Sequence, residues 1–240
     1  MPESTALEII DLRFRYASGG GSAPGAPWII DIPALRLAGA EQLLLTGGSG
    51  RGKSTLLHLI SGVVELAPPC SGRISVADRD IHSLRGPARD AYRAQHIGMV
   101  FQTLNLLHGF TALENVMAAL MFSGVPPRAH RDRAASLLAS LGIDRVDAVP
   151  EQLSVGQQQR VAVARALACS PTLVLADEPT ASLDPENAEI AMDLIQNACR
   201  ERGAALLCVS HDPAMVQRFA RRERLDDLRS TLPPCATRAA

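Results

Sequence analysis

Leu43-Leu44-Leu45-Thr46-Gly47-Gly48-Ser49-Gly50-Arg51-Gly52-Lys53-Ser54-Thr55-Leu56-Leu57-His58-Leu59-Ile60 decides the fold. A short apolar run, a glycine-rich turn and a helix-like run follow one another without a break. The turn fits the phosphate-binding pattern Gly-x4-Gly-Lys-Ser/Thr. Glycines let the backbone curl and turn successive N–H groups inward, forming a nest for phosphate oxygens. The helix that begins near Lys53 points its positive dipole end at the same anion. Lys53 reaches the β- and γ-phosphates as a mobile cation, and Ser54 places its hydroxyl on a magnesium ion. Gly62 supplies the helix stop. Gly47, Gly48, Ser49, Gly50, Arg51, Gly52, Lys53, Ser54 and Thr55 are therefore candidates for binding a nucleoside triphosphate.

Composition narrows the remaining choices. The chain has 240 residues, 47% hydrophobic and 20% charged, with a formal net charge of −1. That balance suits one large domain, or a domain with an inserted lobe. No basic excess argues for nucleic acid. No apolar run approaches the roughly 20 residues that span a bilayer. Met1-Pro2-Glu3-Ser4 lacks the basic-then-apolar pattern of a signal peptide, so a cytosolic chain is expected. Cys70, Cys169, Cys199, Cys208 and Cys235 show neither a close pair nor metal-ligand spacing and read as reduced thiols. Of these, Cys169, Cys199 and Cys208 are expected in the core.

Along the chain, residues 7–15 alternate as a strand, residues 18–27 form a Gly/Ala/Ser/Pro connection, and residues 28–32 and 35–37 read as short strand pieces. Residues 70–81 suggest a strand pair around Ser71-Gly72, and 97–101 a strand ending before Gln102. Thr111-Ala112-Leu113-Glu114 is a capping box that opens a helix to about Phe122. Pro126-Pro127 breaks the pattern, and a second helix runs from about Arg131 to Leu141, before Gly142. Residues of about 104–150 thus form a helical lobe inserted into an α/β core. Then come a helix from near Gly156 to Ala168, a buried strand over 173–176, a helix capped by Asp184 with Pro185 at its first position, and a buried strand over 204–209. Strands alternating with helices imply a largely parallel sheet covered on both faces. From Glu223 the sequence is polar and weakly patterned, and 233–240 is expected to fray.

Asp177 and Glu178 stand at the carboxyl end of the 173–176 strand, where open α/β sheets gather ligand-binding groups. Asp177 suits the hydration shell of magnesium, and Glu178 suits a general base that polarises attacking water. Gln102, at another strand end, reaches the metal or the water. His211, in Val209-Ser210-His211-Asp212, contacts the γ-phosphate and senses its loss. A lone Gln or His at such a place is ordinarily a loop residue. Leu153-Ser154-Val155-Gly156-Gln157 opens a helix and makes a second anion site, with Ser154 and the backbone at Gly156. One chain then carries two helix-start phosphate sites and one phosphate loop. The reading adopted is that Ser154 serves a nucleotide held by another copy.

These runs together resemble the ATP-binding cassette (ABC) ATPase family. The phosphate loop, Gln102 as the Q-loop, 153–157 as the signature, 173–178 as the Walker B strand, Ser182-Leu183-Asp184 as the D-loop and His211 as the switch histidine follow the family order over about residues 5–215. Tyr16 falls where the family has its adenine-stacking aromatic. The resemblance implies a P-loop NTPase core with a mostly parallel sheet, an antiparallel β subdomain near the N-terminus and an inserted α-helical subdomain. It implies an ATPase domain over 5–222 and a tail over 223–240. It also implies ATP and Mg2+ as cofactors, and a head-to-tail homodimer that sandwiches two ATP molecules. In that dimer Ser154, Gly156, Gln157 and Asp184 of one copy approach the nucleotide of the other. Integral-membrane permease subunits on another chain would be the partners, placing the protein at the cytoplasmic face of the inner membrane. Phe101-Gln102-Thr103-Leu104-Asn105-Leu106-Leu107 followed by Thr111–Val116 resembles the lipoprotein-release and macrolide-export subgroup.

The alternative class is a soluble ABC ATPase of the iron–sulfur assembly type. A nucleotide-binding regulator without turnover is disfavoured by Glu178 and His211. Three features depart from the family pattern. Val155 replaces a signature glycine and is expected in an ordinary backbone conformation. The stretch before Trp28 is long, and residues 223–229 match the usual terminal strand pair poorly.

Overall fold

Alternation along the first strand is broken and then restored. β1 (Thr5–Phe14) buries Leu7 and Ile9, then Leu12 and Phe14, and Asp11 between them has a left-handed φ of 49°. This bulge re-aims the later side chains onto the same face. Opposite it stands Gly72 (φ 115°), where a Cβ would lie 2.5 Å from the Leu12 Cα. Only glycine fits that approach. The computed structural model describes residues 5–16, 27–48, 50–181 and 183–229. Expectations for Met1–Ser4, most of the 18–27 connection, Ser49, Ser182, Cys235 and the end of the tail fall outside those residues.

β2 (Ile30–Ala38) pairs antiparallel with β1 as one strand, not the two pieces expected. Pro33 is tolerated because β2 is a sheet edge. β3 (Gln42–Thr46) leads through the phosphate loop to α1 (Lys53–Ile60). β4 (Ser71–Val76) and β5 (Arg79–Asp80) follow, turning at Ala77-Asp78 with φ of 47° and 62°. The hairpin turn is thus there and not at Ser71-Gly72, because the left-handed pair suits a tight hairpin while Gly72 is consumed by the β1 contact. α2 (Gly86–His96) has no buried residue and leaves no apolar periodicity to read. β6 (Ile97–Val100), α3 (Ala112–Leu120), α4 (His130–Ser140), α5 (Val155–Leu167), β7 (Leu173–Asp177), α6 (Pro185–Glu201) and β8 (Ala205–Ser210) complete the alternating part. Thr111 and Glu114 form the reciprocal capping box at α3, and Gly142 (φ 72°) follows α4.

β9 (Arg221–Arg224) is a correction to the tail. It pairs parallel with β3, and the Leu225 N–H continues the ladder to the Thr46 carbonyl at 2.8 Å. An edge strand is held by backbone groups, so its charged side chains conceal it from pattern reading. Arg221 bridges Glu41 and Glu223 across the ladder.

The small sheet runs β2-β1-β4-β5 and the large one β6-β7-β8-β3-β9, the latter wholly parallel. Burial on both faces of the large sheet explains the solid run Leu43-Leu44-Leu45. Leu43 and Leu45 join the core shared with β1, β2 and α1, while Leu44 joins that of α3, α4, α5 and α6. Cys199 and Cys208 are buried in the latter core, and burial pushes the Cys199 thiol up to about 12 and raises that of Cys208 further. Cys169 is only half-buried, so its place in the core is partial. Among the described residues, no helix is long and apolar enough to cross a membrane.

β6 meets α5 at Gly98, where a Cβ would sit 2.3 Å from the Ala166 carbonyl oxygen. G98A should therefore push the helix off the sheet and lose about 1–3 kcal/mol of stability. A urea titration measures this, and an unchanged midpoint would contradict the contact.

Candidate functional site

Parallel register brings three strand ends to one level. Thr46 aligns with Ser210, and Asp177 with Val209, so the residues following β3, β7 and β8 leave the sheet side by side. The loop after β3 takes left-handed turns at Gly50 (φ 72°) and Gly52 (φ 99°). At Gly52 a Cβ would lie 2.9 Å from both Ile29 Cγ2 and Ile30 Cδ1, so conformation and space both demand glycine. Arg51 N–H closes back on the Gly48 carbonyl at 3.4 Å, and Leu56 N–H bonds the Gly52 carbonyl at 2.8 Å as α1 begins.

Lys53, only 7% exposed, folds its ammonium into this turn. Nζ donates to the carbonyls of Gly47 (2.9 Å) and Gly48 (3.2 Å) and lies 3.7 Å from Glu178 Oε1. A buried cation requires such partners. Ser54 Oγ donates to Asp177 Oδ1 at 3.2 Å. Tyr16 and Thr55 hydroxyls lie 3.2 Å apart, while the half-exposed Tyr16 ring meets Phe14 edge-on at 5.0 Å.

Glu178 is held in an uncommon conformation. Its φ is 47°, a left-handed backbone that costs about 1–3 kcal/mol for a residue with a side chain. Its N–H bonds the Val209 carbonyl at 3.0 Å. That turn aims the carboxylate along the strand ends to His211, whose Nδ1 is 2.8 Å from both oxygens. A carboxylate only accepts, so Nδ1 carries the proton. Ser210 Oγ and the His211 N–H also donate to Oε2, each at 3.4 Å. Sequence reading missed the Ser210 contact and the Glu178 strain, since neither leaves a composition signal.

A second group lies on the starts of α5 and α6. Ser154 caps α5 and shares a capping box with Gln157: Ser154 N–H to Gln157 Oε1 at 3.0 Å, and Gln157 N–H to Ser154 Oγ at 3.3 Å. Val155 is the first helical residue, is 57% exposed and has no left-handed φ, as expected. At Gly156 a Cβ would meet nothing within 4 Å. Asp184 caps α6, and hydrogen bonds from the Asn187 side chain and backbone hold its carboxyl below the usual range. These bonds close within each helix start, apart from the Lys53–Glu178–His211 cluster. Gln102 lies exposed in the turn after β6. The segment beyond it hangs on two residues that sequence reading did not single out. Asn115, fully buried, bonds Leu107, Phe110 and Thr111 backbone groups, and Arg165 donates to the Leu104 and Asn105 carbonyls. A buried Asn inside an apolar helix was the available signal for the first.

Hydroxyl and carboxylate oxygens at Ser54 and Asp177 are the donor types that a hard cation such as Mg2+ takes. Among the described residues no group of three or more His, Cys, Asp or Glu could hold a metal ion. Such a pair fits an ion that draws its other oxygens from water and phosphate. The glycine turn with its buried ammonium fits a polyphosphate chain.

A protein-family model described as "ABC transporter" matches residues 31–181. The lipoprotein-releasing system ATP-binding protein LolD of Gluconobacter oxydans is 41% identical over 225 residues, covering 93% of this chain and 94% of the relative. The macrolide export ATP-binding/permease protein MacB of Syntrophobacter fumaroxidans is 38% identical over 229 residues, covering 92% of this chain but 30% of that longer relative. Among solved structures, the dimeric post-hydrolysis state of the ATP-binding cassette MJ0796 bound to ADP and Pi superposes with a TM-score of 0.76 at 32% identity, covering 94% of this chain and 97% of that one.

With His211 removed, Glu178 keeps Lys53 and Ser210 but loses its shortest partner. H211A should lower ATP turnover at least about tenfold while ATP still binds. Phosphate-release rates set beside a nucleotide titration check this, and wild-type turnover would detach His211 from the chemistry.

Proposed function

The chain belongs to the ABC transporter family, and from that premise we propose how its residues bind ATP, hydrolyse it and hand on the work. It is an ATP-binding and ATP-hydrolysing transporter subunit that dimerises with ATP. The observation that carries the residue assignment is the convergence of Lys53, Ser54, Asp177, Glu178 and His211, three sequence runs drawn to one edge of the sheet. The loop backbone over 47–55 and Lys53 hold the phosphates. Ser54 and Asp177, with Gln102, hold Mg2+, which when bound offsets phosphate charge. Tyr16 stacks on the adenine. Glu178 accepts a proton from the attacking water, and His211 fixes the orientation of that carboxylate.

Ser154, Gly156 and Gln157 have an outward-facing helix start, and Asp184 has another. Each completes the nucleotide site of a second copy, where donors at a helix start stabilise charge that develops on the transferred phosphoryl group. The partner proposed beyond the dimer is an integral-membrane permease on another chain, with the ATPase at the cytoplasmic face of the membrane. Exposed Leu107, Phe110, Met121 and Phe122, around α3 and the segment after Gln102, support a docking face there. Several relatives carry the lipoprotein-releasing name, and another carries both ATPase and permease in one chain. These names support the extrusion-type subgroup. The domain reading is an ATPase unit over 5–222 whose helical part spans about 104–150, extended by the β9 segment.

E178Q should bind ATP, accumulate as an ATP-bound dimer and lose turnover at least about a hundredfold. Size-exclusion chromatography with ATP and a phosphate-release assay read both effects. Near-normal turnover would remove Glu178 as the base. S154R should leave ATP binding by the monomer intact and prevent the dimer, and a normal dimer in that variant would refute the role in trans.

A further inference from the structure

The carboxyl-terminal segment after β9 grips the phosphate loop at both of its ends. At the near end Leu225, 1% exposed, lies with its Cβ 3.6 Å from where a Cβ on Gly47 would stand. At the far end Arg229 Nη2 donates to the carbonyls of Arg51 (3.3 Å) and Ile29 (3.0 Å). Those carbonyls belong to the two strips of backbone that Gly52 already presses together, with the Ile29 oxygen 3.2 Å from a Cβ at that glycine. Asp226 steadies the guanidinium from 3.9 Å. One side chain, 178 positions beyond Arg51 in sequence, thus staples the approach to β2 to the last turn before α1.

The peptide geometry gives this staple a consequence. In a trans peptide the carbonyl and the next N–H point in opposite directions. Holding the Arg51 carbonyl on the Arg229 side therefore fixes the direction of the Gly52 N–H, one of the donors a phosphate nest requires. Glycines on either side of Arg51 leave this peptide otherwise free to rotate. We infer that Arg229 is a positioning residue for nucleotide binding: it sets the phosphate loop before the ligand arrives and touches no ligand itself. The inference rests on the reading of 47–55 as the phosphate site.

The test uses the full chain and a fluorescent ATP analogue. R229M keeps the apolar stem and removes every donor. It should raise the dissociation constant about fivefold to tenfold, the effect of losing one charge-assisted hydrogen bond. KM for ATP should rise in parallel with little change in kcat, and amides 50–53 should exchange hydrogen faster without nucleotide. R229K, which can still donate to both carbonyls, should recover part of the affinity. If R229M does not fold, R229Q replaces it and should show a smaller rise of the same kind. A folded R229M or R229Q with wild-type affinity and wild-type exchange would overturn the inference. K53A, measured in parallel, separates the two ideas. Binding lost in K53A but unchanged in R229M sinks the Arg229 role alone, whereas binding unchanged in K53A sinks the phosphate-site reading and the inference with it.

Discussion

A lysine ammonium nearly closed off from solvent is the constraint around which this site is organised. Lys53 at 7% exposure would be untenable unpaired, and its partners come from two directions: the loop carbonyls of Gly47 and Gly48, and the Glu178 carboxylate. The first contact fixes how the loop curls. The second ties the end of β7 to the start of α1. Each partner is positioned by something else: the loop by left-handed glycines, Glu178 by its own left-handed backbone and by Ser210 and His211. In the proposed function, a polyphosphate chain would compete with these partners for the ammonium.

The large sheet explains why residues so distant in sequence meet. A parallel sheet sends all its strands out in one direction, so β3, β7 and β8 deliver their following residues to one rim. The two cores on its faces then divide the labour. One face carries β1, β2 and α1 with the loop, and the other carries α3 to α6 with the outward-facing helix starts. Gly98 lets α5 lie directly on β6, so the position of Ser154 depends on a packing contact made almost a helix length away.

Much of this was legible because the residue types had no cheaper explanation. Lys53-Ser54-Thr55 after glycines, Asp177-Glu178 after a buried run, and Ser154 with Gln157 at a helix start each encode a local geometry that the fold then reproduces. Thr111 with Glu114 and Asp184 with Pro185 set their helix starts for the same reason. What was not legible falls into two physical kinds. Some elements cover few apolar side chains: α2 has no fully buried residue, and β9 presents Arg-Arg-Glu-Arg to a ladder that needs only backbone. Other features are products of assembly. The strain at Glu178, the hairpin turn at Ala77-Asp78 and the joining of two apolar pieces across Pro33 appear only once neighbouring strands are in place.

The arginines of β9 have a consequence for growth of the sheet. Among the described residues β9 is the outer strand of its sheet, and the edge of such a strand offers backbone groups to an extended peptide. An apolar run there would invite a stranger's strand, and a chain meant to pair reversibly through another surface would risk irreversible stacking. Four charged side chains in succession make that edge repellent to such additions. The trait that hid this strand from pattern reading is thus also a safeguard against edge-to-edge aggregation.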